Sequence, residues 1–331
     1  MMKAWTIKAP GDVDQLIMVD RPIPEPAENE VLIKVEAAAV NRLDIITREN
    51  TELEEPYPIL GVEVSGVVEK ESPKYPELKK GTRVAGLTDR NAYAEYAVMD
   101  AARAMVLPDS MSFIEGAAIP EVFLTAYQAM FWLGKLKPDE VVLIHAAGSG
   151  VGTAAIQLAS RKITDAKIIA TAGKKRKLDM AKALGAKHTI NYKKEDFAEK
   201  VLEYTDGHGA DVILDFIGAS YWDQNLKSAA VDGRWISIGT LGGAEIDNFS
   251  LRDLMMKRLS LKGTLLSPRS DEYKAELSQE FSKRIMPFFD EDIIQPIIHS
   301  VLDFEDLKEG HRQIEDNENT GKVVIAIGDN A

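Results

Sequence analysis

The chain has 331 residues, 45% of them apolar and 28% charged, a soluble globular balance with length enough for two domains. Its 53 acidic and 40 basic side chains leave a net charge of −13, a surface that repels phosphate and disfavours nucleic acid or anionic membrane as the main partner. It contains no cysteine, which removes disulfides, thiolate nucleophiles, iron–sulfur clusters and thiolate-bound zinc.

In chain order, residues 1–7 are strand-like and lack the apolar core of a signal peptide. No stretch approaches the roughly 18 apolar residues that span a bilayer, so a cytoplasmic location is expected. Pro22, Pro24 and Pro26 block helix before a strand at 31–35. Further short strands are predicted at 62–68, 81–84 and 92–98. The rhythm changes near residue 125. Strands at 141–145, 167–171, 188–191, 212–216, 234–238 and 259–265 alternate with helices at 151–161, 174–184, 195–204, 221–230 and 251–257. Such alternation predicts a doubly wound parallel sheet covered on both faces. The tail returns to the first style, with one amphipathic helix at 271–289 and strands at 301–304 and 322–327. Residues 1–124 and 269–331 are therefore expected to form one β-rich domain, with a cofactor domain, 125–268, inserted in it.

The segment Ala147-Gly148-Ser149-Gly150-Val151-Gly152 falls between an expected buried strand and an expected helix. Glycine there lets backbone approach a pyrophosphate, and the helix N-terminus offers free amides and the positive end of its dipole. A ligand-free tight turn is the competing reading. An NAD site places an acid at the end of the second strand. Here that strand ends at Thr171-Ala172-Gly173 and is followed by Lys174, Lys175, Arg176 and Lys177. Cations at a helix start oppose the dipole, so a bound 2′-phosphate accounts for them and NADPH is the expected cofactor. A solvated basic helix start is the plainer alternative.

The whole chain resembles the quinone oxidoreductase branch of the medium-chain dehydrogenases, which includes zeta-crystallin, and is most similar to the tumour-suppressor-inducible type. The resemblance is carried by residues 37–44 (AAAVNRLD), 61–66 (GVEVSG), 117–128 (AAIPEVFLTAYQ), the glycine loop, 190–197 (INYKKEDF) and 232–235 (DGRW). It implies a Rossmann cofactor domain inserted in a GroES-like catalytic domain. It also implies a zinc-free enzyme. Where zinc relatives carry Cys, His and Cys ligands, this chain has Asn41, Val62 and Glu121, and valine ligates nothing. Without a Lewis acid to form an alkoxide, reduction of an electrophilic quinone or carbonyl compound by NADPH is the implied reaction.

By the same resemblance, Asn41 lies beside the nicotinamide and donates to the acceptor oxygen; a turn cap is its alternative. Thr125 contacts the cofactor near its nicotinamide end, or caps a helix. Ser149 meets phosphate or substrate. Gly148, Gly150, Val151 and Gly152 cradle the pyrophosphate. Lys177 and Tyr192 bracket the 2′-phosphate where Gly173 lets it approach; Tyr192 as an ordinary half-buried aromatic is the alternative. Backbone near Gly239, Leu241, Leu265 and Ser267 positions the carboxamide, and Lys322 reaches the adenine side. Glu121 either relays a proton or holds Asn41 or a lysine. His145 reads as a satisfied core residue. The relatives' pocket tyrosine has no counterpart in the acidic stretch 49–55. Two other functions stay open: an enone or enoyl-thioester reductase, and a non-catalytic NADPH-binding sensor. The apolar edge strand 259–265 is expected to pair two copies in a homodimer.

Overall fold

The computed structural model describes residues 1–50, 52–160, 164–247 and 249–331. Thr51, in the acidic stretch, and Arg161, the expected end of the glycine-loop helix, lie outside the described residues. Contacts divide the chain into two units: Met1–Leu124 with Arg269–Ala331, and Thr125–Pro268.

The first unit is built on the strand Glu30–Val40, longer at both ends than the expected 31–35. Alanine is a poor strand former, but Ala37, Ala38 and Ala39 are fully buried there, and burial overrides propensity. Three strands pair antiparallel with it: Glu63–Lys70, Tyr96–Asp100 and Lys322–Ala326. The sheet continues through Ile298–Asp303 on one side and through Arg83–Leu87 and Met105–Val106 on the other. Its core draws on Val31, Ile33, Val35, Val64, Val68, Val84, Val323 and Ile325. The expected single helix at 271–289 is two helices, Asp271–Arg284 and Met286–Asp290. Pro287 supplies no amide proton to continue the first, and the chain breaks at Ile285.

The second unit is a six-stranded parallel sheet. Its spatial order is His188–Asn191, Lys167–Ala172, Val141–Ile144, Ala210–Asp215, Ala229–Ser237 and Ser260–Gly263. Numbered along the chain this is 3-2-1-4-5-6, the doubly wound dinucleotide-binding topology. The central strand Val141–Ile144 is buried throughout, as strands covered on both faces must be. Trp235 packs against Trp222 at 4.7 Å between ring centres, and its indole N–H donates to Asp215 Oδ2 at 3.1 Å. Because all six strands run the same way, the loops that follow them emerge at one edge, where ligands bind in such sheets.

Candidate functional site

In the second unit, Val141–Ile144 leads into His145, whose ring is fully buried. Both ring nitrogens are engaged, with Thr171 Oγ1 at 2.9 Å and Asn225 Oδ1 at 2.7 Å. Burial holds its pKa below the usual imidazole value. His145 is thus a satisfied core residue. Ser149 caps the helix Gly150–Ala159, its Oγ accepting from the Gly152 amide at 3.0 Å. The hydroxyl proton stays available to a ligand oxygen.

Three glycines of this edge leave little room for a side chain. A Cβ on Gly152 would stand 2.4 Å from the Ala146 carbonyl oxygen. A Cβ on Gly148 would stand 2.5 Å from Cγ and Cδ of Lys177, so the lysine stem lies on the glycine loop. A Cβ on Gly173 would stand 2.8 Å from the Tyr192 hydroxyl and 2.9 Å from Lys193 Cε. The structure therefore couples the expected residues in two pairs, Lys177 with Gly148 and Tyr192 with Gly173. It adds Lys193, which sequence reasoning passed over although it adjoins Tyr192. Lys175, by contrast, turns to Asp179 at 2.6 Å. The second strand ends at Ala172 with no acid beside it. The edge fits an adenosine ribose bearing a phosphate: cationic stems, a phenol half exposed, and glycines where backbone must be approached closely.

Gly239, Leu241, Leu265 and Ser267 also follow strand ends at this edge, with Leu241 and Leu265 exposed. Thr125 lies inside the helix Pro120–Tyr127, not at its start, so the capping alternative does not hold. Its hydroxyl is buried with no hydrogen-bond partner among the described residues, an orphan suited to a ligand.

In the first unit, strand register assembles a second polar centre. Asn41 follows the end of Glu30–Val40, Glu63 opens one neighbouring strand and Lys322 opens the other. Glu63 is 0% exposed and Lys322 3%. Asn41 Nδ2 donates to Glu63 Oε1 at 2.7 Å and to the Ala39 carbonyl at 3.2 Å. Lys322 Nζ donates to Asn41 Oδ1 at 2.7 Å, Glu63 Oε1 at 2.7 Å and the Val40 carbonyl at 3.1 Å. Glu63 Oε2 accepts the Glu121 amide at 2.7 Å. Asp44 Oδ2 accepts the Asn41 amide at 2.8 Å and the Tyr93 hydroxyl at 2.6 Å. Burial raises Asp44 to about 7, against the pull of its two hydrogen bonds. Burial, then the nearby Glu63 charge, raises Glu121 to about 8.

Three expectations are corrected here. Lys322 has all three ammonium protons committed inside this cluster, which leaves none for adenine. Asn41 has both amide protons committed, so it is not free to donate to an acceptor oxygen. Glu121 does not hold Asn41 or a lysine, because Glu63 does both. Among the described residues no side-chain hydrogen bond to the Glu121 carboxyl is made. The set at the zinc positions, Asn41, Val62 and Glu121, does not fit a metal, and no group of three or more acidic or histidine residues among those described could hold one.

The sequence also matches two family models, "Alcohol dehydrogenase GroES-like domain" over residues 27–109 and "Zinc-binding dehydrogenase" over residues 150–283. The human protein described as quinone oxidoreductase is 31% identical over 313 residues, covering 93% of this chain and 92% of its own. An Escherichia coli quinone oxidoreductase solved in complex with NADPH superposes with a TM-score of 0.88 at 28% identity, covering 98% of this chain and 99% of its own. A structure described as NAD-dependent alcohol dehydrogenase superposes with a TM-score of 0.87 at 34% identity, covering 99% of this chain and all of its own. The chain belongs to the quinone oxidoreductase branch of the medium-chain dehydrogenase/reductase superfamily. No helix among the described residues is long and apolar enough to cross a membrane.

Proposed function

We propose that this protein is a zinc-independent, NADPH-dependent reductase of quinones or similarly electron-poor carbonyl compounds. The observation that carries this is the pairing of Lys177 with Gly148 and of Tyr192 with Gly173 at the carboxyl edge of the parallel sheet. Lys177, Tyr192 and Lys193 would hold the 2′-phosphate, by charge and by the phenol hydrogen bond. The Ser149 hydroxyl and the first amides of Gly150–Ala159 would take the pyrophosphate. Backbone near Gly239, Leu241, Leu265 and Ser267 would position the carboxamide. When bound, NADPH supplies the hydride. The protein's task is then orientation, exclusion of water and supply of a proton, the last given to Glu121. The acceptor is a small molecule met in the cytoplasm. The same reading pairs the edge strands Ser260–Gly263 of two copies.

The test follows loss of reduced-nicotinamide absorbance with phenanthrenequinone as acceptor and a chelator present. The NAD-dependent relative makes NADH the necessary comparison. Rapid loss with NADPH and little with NADH is expected. Lys177→Ala should narrow that difference by at least about tenfold, the loss of one charge-assisted contact. Loss with neither dinucleotide, despite NADPH binding, would favour enone reduction; absence of any turnover on enones as well would leave a binding protein.

A further inference from the structure

Tyr192 stands on a turn whose backbone is fixed. The Asn191 side chain accepts the Lys193 amide at 3.1 Å, and Glu195 Oε2 accepts the Asn191 amide at 3.1 Å. The Asn191 carbonyl accepts the amides of Lys194 at 2.9 Å and Glu195 at 3.0 Å. A fixed backbone does not fix a side chain, since a ring 40% exposed keeps rotamers to choose among. The ring has a neighbour, however. Tyr221 meets it edge to face with ring centres 5.8 Å apart, a geometry that aromatic pairs favour.

Tyr221 is itself braced. Its ring centre lies 4.9 Å from that of His145 and 4.9 Å from that of Phe197, both buried. The loop that carries it is held as well. The buried Asp215 accepts the amides of Ile217 at 2.8 Å and Gly218 at 3.1 Å through Oδ1. The Ala219 amide donates to the Gly243 carbonyl at 2.8 Å, and the Tyr221 amide to the Gly218 carbonyl at 2.9 Å. Tyr192 thus has Gly173 against its hydroxyl and Tyr221 against its ring.

We propose that Tyr221 is a positioning residue for the 2′-phosphate site: it holds the Tyr192 ring against Gly173, so that the phenol is in place before the phosphate arrives. The inference rests on the NADPH reading for the identity of the phosphate. Its physical content is preorganisation. A ring already ordered loses less freedom on binding than one that must be ordered by the ligand.

The test is calorimetric titration of the full chain with adenosine 2′,5′-bisphosphate and with 5′-AMP, which differ in the 2′-phosphate alone. The native protein is expected to prefer the bisphosphate by at least about tenfold, the worth of a charge-assisted contact. Tyr221→Ala should reduce that preference by about fivefold and leave the affinity for 5′-AMP within about twofold of native. Tyr221→Leu fills more of the space without an aromatic ring; it should show the same fall and carries the test if the alanine variant folds poorly. Tyr221→Phe keeps the ring and should retain the native preference within about twofold. Once Tyr192→Ala has removed the phenol, Tyr221→Ala should lower the preference no further. A native preference in both Tyr221→Ala and Tyr221→Leu overturns the proposal. So does an equal loss for both ligands, which would give Tyr221 to the adenosine itself, or a loss in Tyr221→Phe as large as in Tyr221→Ala, which would make its hydroxyl a direct contact. A native protein that does not prefer the bisphosphate overturns the NADPH reading, and this role with it.

Discussion

Of Asp44, Glu63 and Glu121, Glu63 is the carboxyl in contact with the Lys322 ammonium. The other two hold protons near neutrality, at about 7 for Asp44 and about 8 for Glu121. An unfolded carboxyl has lost its proton above about pH 4, while folded Asp44 keeps its proton to about pH 7. The folded state therefore binds more protons between those limits, and stability falls as pH rises through that window. Asp44→Asn should make the fall shallower in urea titrations. Its single amide oxygen can accept both the Asn41 amide and the Tyr93 hydroxyl, as Oδ2 does now. An unchanged slope would remove Asp44 as its source. For catalysis the sign is the same. Glu121 can give a proton only below about pH 8, so kcat should fall above that value, and Glu121→Gln should lower kcat and abolish that limb. A Gln variant with the native profile would end the proton role. The missing zinc ligands were legible residue by residue, since Val62 announces itself. The partners of Asn41 were not, because Lys322 reaches it only through the register that sets Val323 opposite Val40.

At the scale of elements, two glycines of one loop fail in different ways. At Gly152 the obstacle is backbone, the Ala146 carbonyl at 2.4 Å, and backbone in a tight turn cannot move aside. At Gly148 it is the flexible stem of Lys177. Gly152→Ala should therefore cost on the order of 2 kcal/mol of stability by calorimetry, as overpacking does. Gly148→Ala should leave the melting temperature nearly unchanged and displace Lys177, reducing the preference for NADPH over NADH. Equal loss of stability in both variants would contradict this division. The loop was legible because strand, turn and helix are contiguous in the chain. The register of helix starts was less so. A helix cap was the alternative reading of Thr125, but the helix begins at Pro120, where a missing amide proton costs nothing. The helix break at Ile285 likewise follows from Pro287, against an amphipathic pattern that runs through it.

For the molecule as a whole, a six-stranded parallel sheet leaves two edges, and the periodicity that made the sheet legible also located them. At one edge Ser260–Gly263 is exposed at every residue. Leu261 is 40% exposed and Leu265 62%. Leu251, Met255 and Met256, on the helix Leu251–Lys257 just before that strand, are exposed as well. Unpaired strand amides beside exposed apolar side chains invite association, and natural edges are usually blunted by charge, proline or a covering element. This edge carries only Lys262, whose ammonium is turned to the Leu133 carbonyl at 3.2 Å. A second copy meeting it across a two-fold axis would continue the sheet and cover the leucines, a closed and self-complementary arrangement. Light scattering at micromolar concentration is expected to give twice the chain mass. Leu261→Asp combined with Leu265→Asp should give the single chain mass, because two copies would set four carboxylates against one another at the axis. The preference for NADPH over NADH in that variant should change little if the 2′-phosphate site depends on Lys177 and Tyr192 of the same chain. A native protein that scatters as a single chain would leave the edge to some other partner and remove the dimer from the proposed assembly.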